Sequence, residues 1–305
     1  MKKIPGILII LFSSMYFSLL KGQDVPYFPR LSQYMFNGLV LNPAYAGSRD
    51  ALSISLLHKD YLAGFKGGPV SQTASVHTPL KNQKLAVGIL ADNFSNSVTQ
   101  FNSLMFNYAY RINLGGSLLS MGLRGGAYYY SNKFDRLDIK DQNDLVFINE
   151  KGLTPNFGAG LYLFNEEYYI GLSVPFFLSK PNSSSRISHD FNNYDFIFMA
   201  GYLWDLDVNF RIKPALMIDY GLKEMDYQAG LHFLLFNDVL WLGSAYKKGK
   251  ELTAMIEVQI NRQLKIGYAY DHSFTELSKV SSGTHEIMLR YELKFRADVE
   301  SPFYF

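Results

Sequence analysis

From Thr284 to Phe295 the chain alternates without a slip, and no other feature limits its fold so narrowly. Thr284, Glu286, Met288, Arg290, Glu292 and Lys294 fall on one face of an extended chain. His285, Ile287, Leu289, Tyr291, Leu293 and Phe295 fall on the other. Successive side chains of a strand point to opposite faces, so this reads as one strand with a polar and an apolar side. Its twelve residues exceed the usual soluble strand of about 5–6. A strand that crosses an outer membrane at a tilt needs about 9–11.

The same pattern recurs upstream. Val208, Phe210, Ile212, Pro214, Leu216, Ile218 and Tyr220 oppose Asn209, Arg211, Lys213, Ala215, Met217 and Asp219. Leu252, Ala254, Ile256, Val258 and Ile260 oppose Glu251, Thr253, Met255, Glu257 and Gln259. A barrel lumen tolerates a charged inner face, whereas a sandwich core does not. The wet side of an open sheet is the alternative. About fourteen strands are expected, near 51–58, 70–78, 84–91, 98–112, 117–130, 153–163, 167–176, 190–205, 208–220, 225–236, 239–247, 251–260, 263–271 and 284–295. Connections after even-numbered strands are short, with turn chemistry at Asn113-Leu114-Gly115-Gly116 and Asn237-Asp238. Several after odd-numbered strands are long: 59–69, 131–152, 177–189 and 272–283. Short turns at one end and long loops at the other are the outer-membrane arrangement. The fold class is therefore all-β, an antiparallel transmembrane outer-membrane β-barrel.

The ends and the composition agree. Met1-Lys2-Lys3 followed by a mostly apolar stretch to Leu20 has the order of a secretory signal peptide. A membrane anchor is the alternative, but the stretch is short and interrupted. With no cysteine, a bacterial lipid-anchored form is excluded. No later segment approaches 18 apolar residues in a row, the length of a spanning helix. Yet 48% of residues are hydrophobic, with 24 Phe and 22 Tyr. Aromatic girdles at the two membrane interfaces use such residues, as does an aromatic-rich soluble sandwich. A net charge of +2 gives no argument for nucleic acid. The last residues, Phe303, Tyr304 and Phe305, resemble the C-terminal assembly signal of bacterial outer-membrane barrels. The expected organisation is a signal peptide over 1–22, a periplasmic or plug-like segment over 23–50, and a barrel over 51–305.

Several positions carry residue types that could do chemistry. His285 and Glu286 are strand neighbours, so their side chains diverge and cannot form a dyad. Asp138, Asp141, Asn143 and Asp144 lack the alternating ligands, sixth-position glycine and closing glutamate of an EF-hand. Six histidines and many serines show no nucleophile elbow. Asn182-Ser183-Ser184-Ser185 reads as loop, and Gly115-Gly116 and Gly125-Gly126 as turn and packing glycines. No catalytic residue, cofactor site or metal site is expected.

One segment ahead of the first strand stands out. Gln33-Tyr34-Met35-Phe36-Asn37 is followed by Asn42-Pro43-Ala44-Tyr45-Ala46-Gly47-Ser48. Asn42 before Pro43 favours an extended residue, and Ala46-Gly47-Ser48 favours a turn. At these residues the chain resembles the PorP/SprF family of type IX secretion membrane proteins. Further stretches are similar to that family: Gly67-Gly68-Pro69, His77-Thr78-Pro79-Leu80 and Tyr108-Ala109-Tyr110-Arg111, then Phe157-Gly158-Ala159-Gly160-Leu161 and Gly171-Leu172-Ser173-Val174-Pro175. Ile266-Gly267-Tyr268-Ala269-Tyr270-Asp271 and the run from Gly283 to Tyr291 complete the set. Two stretches depart from the pattern: His58-Lys59-Asp60-Tyr61 stands where an Arg-x-Gln-Trp stretch is expected, and Phe303 where arginine is common. Both bear on partner choice rather than membership.

The resemblance implies a non-enzymatic barrel in the outer membrane of a Gram-negative, Bacteroidota-type bacterium. It would assist secretion or surface anchoring of type IX substrates, such as gliding adhesins with C-terminal targeting domains. The implied partners are such a substrate, periplasmic parts of the secretion apparatus and outer-membrane lipid, with no nucleic acid and no cofactor. A channel or a transporter of lipid or hydrophobic compounds is the alternative. There the inner-face charges Arg211, Lys213, Glu257, Arg290 and Glu292 would tune selectivity. Gln33, Tyr34, Met35, Phe36, Asn37, Asn42, Pro43 and Tyr45 are the candidate partner contacts. Their segment is expected to begin on the periplasmic side, and to pack inside the barrel or across its periplasmic mouth. Docking onto the barrel and contact with a partner are both open readings of it.

Overall fold

The computed structural model describes residues 30–293, apart from 82, 135–148, 179–193, 208, 222–224 and 250. Among the described residues, fifteen strand segments follow one another: β1 (Leu52–Asp60), β2 (Val70–Pro79), β3 (Leu85–Ser95), β4 (Thr99–Asn113), β5 (Leu118–Asn132), β6 (Glu150–Phe164), β7 (Tyr168–Val174), β8 (Phe196–Tyr202), β9 (Trp204–Asp207), β10 (Phe210–Tyr220), β11 (Met225–Leu235), β12 (Leu240–Lys247), β13 (Glu251–Gln259), β14 (Leu264–Ser273) and β15 (Thr284–Leu293). Each pairs antiparallel with its neighbours, and β15 returns to β1 from Leu52↔Leu293 to Asp60↔His285. The sheet therefore closes into a barrel.

Segments β8 and β9 are one barrel strand in two pieces. Both pair with β10, and Ile212↔Trp204 and Ala215↔Gly201 keep the same register across the gap. The lapse covers Tyr202 and Leu203, which by that register face Pro214 and Lys213, and Pro214 has no N–H to give the ladder. The barrel thus has fourteen strands. The eighth, expected as one run over 190–205, is broken at Leu203, and residues 190–193 lie outside the described ones. The last strand is described to Leu293.

Burial follows the pleat. On β4, Phe101, Ser103, Met105, Asn107 and Arg111 are buried inside, while Leu104, Phe106, Tyr108 and Tyr110 are 40 to 56% exposed outside. Such an apolar band is a liability in water and suits the hydrocarbon of a bilayer. Inside, polar and charged residues dominate on several strands: Ser53, Ser55 and Lys59 on β1, then Glu286 and Arg290 on β15.

The connections sort the two ends. Segments 80–84, 114–117, 165–167, 236–239 and 260–263 make short turns at one end. Segments 61–69 and 274–283 make long loops at the other, where β5 also ends and β6 begins. By the outer-membrane rule the short-turn end faces the periplasm and the long-loop end faces outward. The wall is uneven at the outer end: β4, β5 and β6 have 15 residues each, and β7 has 7.

Residues 30–50 run inside the barrel. Two short 3-10 turns, Tyr34–Phe36 and Pro43–Tyr45, break the segment. From Leu31 to Ala46 every residue is buried, and it contributes much of the hydrophobic core. It joins β1 at the short-turn end, but its beginning is elsewhere. Arg30 and Ser32 bond Lys59, Asp226, Lys247 and Asp271, which stand at the long-loop ends of β1, β11, β12 and β14. The segment expected to begin on the periplasmic side therefore begins at the opposite mouth and descends the lumen.

Candidate functional site

The lumen segment, hereafter the plug, is held at three levels. At the outer level, Ser32 and Gln33 donate their backbone N–H groups to the two oxygens of Glu286, each at 2.8 Å. Lys59 Nζ lies 3.1 Å from Glu286 and 3.5 Å from Asp271, and Lys247 lies 2.7 Å from Asp271. Ser32 Oγ donates to Asp271 at 2.7 Å, and Gln228 donates to the Ser32 carbonyl at 3.0 Å. Buried Lys59 and half-buried Lys247 thus neutralise two buried carboxylates around one turn of chain. A buried charge needs such a partner.

In the middle, the plug carbonyls are taken by wall cations and a hydroxyl. Arg290 Nη1 donates to the Phe36 carbonyl at 3.1 Å, and its other nitrogens face Glu257 at 2.9 Å and Glu292 at 3.3 Å. Arg124 donates to the carbonyls of Leu39 and Val40 and to Asn107. Ser173 donates to the Leu41 carbonyl at 2.8 Å. Phe36 lies edge-on to Trp241, with ring centroids 5.2 Å apart. A chain crossing the lumen has no ladder of its own, so its backbone groups must find partners on the wall.

At the inner level sits the run Asn42 to Gly47. The Asn42 side chain accepts the Ala44 N–H at 2.9 Å and donates to the Leu161 carbonyl at 2.9 Å, so it caps a turn and grips β6 at once. The plug backbone presses on β5 so closely that a Cβ at Gly122 would collide with Ala44 and Pro43. Tyr45 packs edge-on against His77 and Tyr162, with centroids 5.5 Å away in both cases. Gly47 has φ +72, a conformation that favours glycine. Its N–H donates to His77 Nδ1 at 3.0 Å, which puts the neutral ring's proton on Nε2. Arg111 reaches the Ala46 carbonyl at 3.3 Å and Asp50 at 3.0 Å.

The scattered stretches of the sequence meet here. His77, Arg111, Gly160, Ser173, Gly267, Glu286 and Arg290 all touch the plug. All eight candidate contacts, Gln33, Tyr34, Met35, Phe36, Asn37, Asn42, Pro43 and Tyr45, are buried within the barrel. The structure brings them to the wall rather than to a free surface. Arg290 and Glu257, read as lumen charges, pair with each other. Arg211 pairs with Asp238 and lies 3.7 Å from Asp205 at the short-turn rim. His285 points outward and bonds the Tyr268 hydroxyl at 2.7 Å, away from Glu286. Sequence reasoning missed Arg49, Arg124, Tyr162, Tyr169 and Trp241. Arg124 and Trp241 carried an inward position on an alternating strand as a usable signal. The signal peptide, the acidic loop around Asp141, Asn182–Ser185 and Phe303, Tyr304 and Phe305 lie outside the described residues.

Below the plug a cleft of about 200 Å³ opens at the short-turn end. Tyr34, Tyr45, Ser48 and Arg49 of the plug side face Tyr162, Phe164, Tyr169, Arg211, Lys213 and Trp241 of the wall. Arg49 Nε donates to the Tyr45 hydroxyl at 2.9 Å and lies 3.9 Å from Glu292. Lys213 Nζ stands 5.2 Å from the Tyr169 ring centre and 5.4 Å from that of Trp241. At such distances a cation is attracted to the ring faces. The cleft can hold an anion and an apolar group side by side.

A family model described as type IX secretion system membrane protein PorP/SprF matches residues 25–291. No curated protein matches the chain. Two solved structures share the fold. The CymD monoaromatic hydrocarbon channel is 12% identical with a TM-score of 0.54, over 90% of this chain and 95% of that one. The Ralstonia pickettii toluene transporter TbuX is 10% identical with a TM-score of 0.52, over 85% of this chain and 92% of that one.

Proposed function

The chain belongs to the PorP/SprF family of type IX secretion system membrane proteins, and from that premise we propose that it is a non-enzymatic outer-membrane barrel that assists secretion or surface anchoring of type IX substrates. The substrates meant are secreted proteins with a C-terminal targeting domain, gliding adhesins among them. Periplasmic parts of the apparatus are the second class of partner. The observation that carries the reading is the plug. A lumen crossed by a fully buried segment, with its backbone bonded to the wall, suits a holder of polypeptides better than an open pore. A channel or carrier of hydrophobic compounds would have to displace those contacts. We also infer the organisation 1–22 leader, 23–50 plug and 51–305 barrel, with Phe303, Tyr304 and Phe305 as the assembly signal. Gln33 to Tyr45 act in this scheme as plug anchors, and they reach a partner when the plug moves.

Deletion of the gene, followed by protease shaving and mass spectrometry of the cell surface, tests this. The expected result is loss of one or a few proteins with type IX targeting domains, restored by the wild-type gene. A full set of surface proteins in the deletion strain would overturn it.

A further inference from the structure

The cleft at the short-turn end is lined by Arg49, Arg211 and Lys213 and, from the turn before β7, by Glu166 and Glu167. Arg49, Lys265 and Arg290 share the two carboxylates of Glu257 and Glu292. Lys213 stands beside them, and no carboxylate among the described residues pairs with it. Its ammonium stands over the rings of Tyr169 and Trp241. The lining also holds buried groups without a hydrogen-bond partner, among them the Trp241 indole N–H and the Ser48 hydroxyl. A cation and a donor left unmatched in a cleft specify an acceptor with negative charge.

We propose that this cleft receives a carboxylate carried on a polypeptide, an acidic side chain or a chain terminus, presented from the periplasmic side next to an apolar residue. The size decides between a whole ligand and an anchor. At about 200 Å³ the cleft falls below the roughly 300–1,000 Å³ of small-molecule sites. It accommodates the anchor residue of a larger partner, and buried aromatic and arginine surroundings are where interface energy concentrates. The walls decide the chemistry. Ring faces of Tyr45, Tyr162, Tyr169 and Trp241 suit an apolar neighbour of the carboxylate, which free phosphate lacks. A lipid headgroup is excluded by position, since the barrel wall separates the cleft from the leaflet. Lys213 binds the carboxylate, Trp241 Nε1 donates to it, and the rings pack its neighbour. The inference deepens the reading of the barrel as a holder of polypeptides and rests on it.

The test uses the purified full-length barrel in detergent and two fluorescein-labelled peptide amides, Gly-Gly-Phe-Glu and Gly-Gly-Phe-Gln. Fluorescence anisotropy is expected to show the glutamate peptide binding at least tenfold tighter. Lys213→Met removes the difference, and Trp241→Phe reduces it severalfold. Heat-shifted gel migration confirms that each variant is folded. Equal binding of the two peptides, or an unchanged preference in folded Lys213→Met, overturns the proposal. So does displacement of the peptide by inorganic phosphate or phosphatidylglycerol micelles at equal concentration. The binding result stands apart from the deletion experiment, so failure of one is distinguishable from failure of the other.

Discussion

Single residues fix the plug, and two of them carry sharp predictions. Glu286 accepts two plug N–H groups and faces Lys59, and all of these groups are buried. Glu286→Gln leaves Lys59 with Asp271 alone, at 3.5 Å. Breaking a buried pair costs about 3–5 kcal/mol, because the remaining charge is stranded. The urea midpoint of barrel refolded into lipid vesicles should fall accordingly, with the slope of the transition unchanged. A shift within about 0.5 kcal/mol, the range of neutral surface changes, would show that the cluster does not hold the plug. Gly47→Val tests backbone geometry instead. Its φ of +72 is strained for a β-branched residue, and a Cβ would press on Arg111 and Ala86. The substitution should lower the unfolding free energy by about 1–3 kcal/mol, and an unchanged midpoint would mean that the inner turn is free to relax. Neither role was visible in the residue alone. That Glu286 faces inward and His285 outward was visible, since alternation settles it.

The strands were legible one by one, and the plug was not. Period-two alternation and turn residues placed all fourteen strands close to where they lie, because each strand must satisfy lipid on one side and lumen on the other. The break at Leu203 was missed because the apolar pattern runs through it, whereas the ladder depends on the partner strand, where Pro214 faces the adjacent Tyr202. The aromatic content of Gln33 to Ser48 signalled burial. Its direction did not show, because it is set by partners 84 to 254 residues away, such as Arg124 and Glu286. Pairings that distant leave no local periodicity. The plug is predicted to be part of the barrel's core rather than a loose occupant. Replacing Tyr34, Phe36 and Tyr45 together with Ala removes three buried rings, at about 3–5 kcal/mol for each large-to-small change. The triple variant should fail to give the fast-migrating folded band on unheated gels. A normal band would mean that the barrel closes without its plug.

At the scale of the molecule, stretches that looked unrelated along the chain turn out to serve one purpose. The glycines, His77, Arg111, Ser173, Glu286 and Arg290 sit on different strands and converge on one crossing segment. A closed sheet with a filled centre explains why the chain carries so many polar inward residues. It also implies a path: the plug passes from the outer mouth at Arg30 to the periplasmic mouth at Asp50. The chain has no cysteine, so single introduced thiols report without background. The Arg30 side chain is 70% exposed at the long-loop end. Lys279, 71% exposed in the loop before β15, marks the outer face, and Glu166, exposed in the turn before β7, marks the inner one. Intact cells carrying Arg30→Cys, Lys279→Cys or Glu166→Cys are treated with a membrane-impermeant maleimide. The account predicts that Arg30→Cys and Lys279→Cys label in intact cells and that Glu166→Cys labels only after the outer membrane is opened; Arg30→Cys labelling together with Glu166→Cys instead would contradict it.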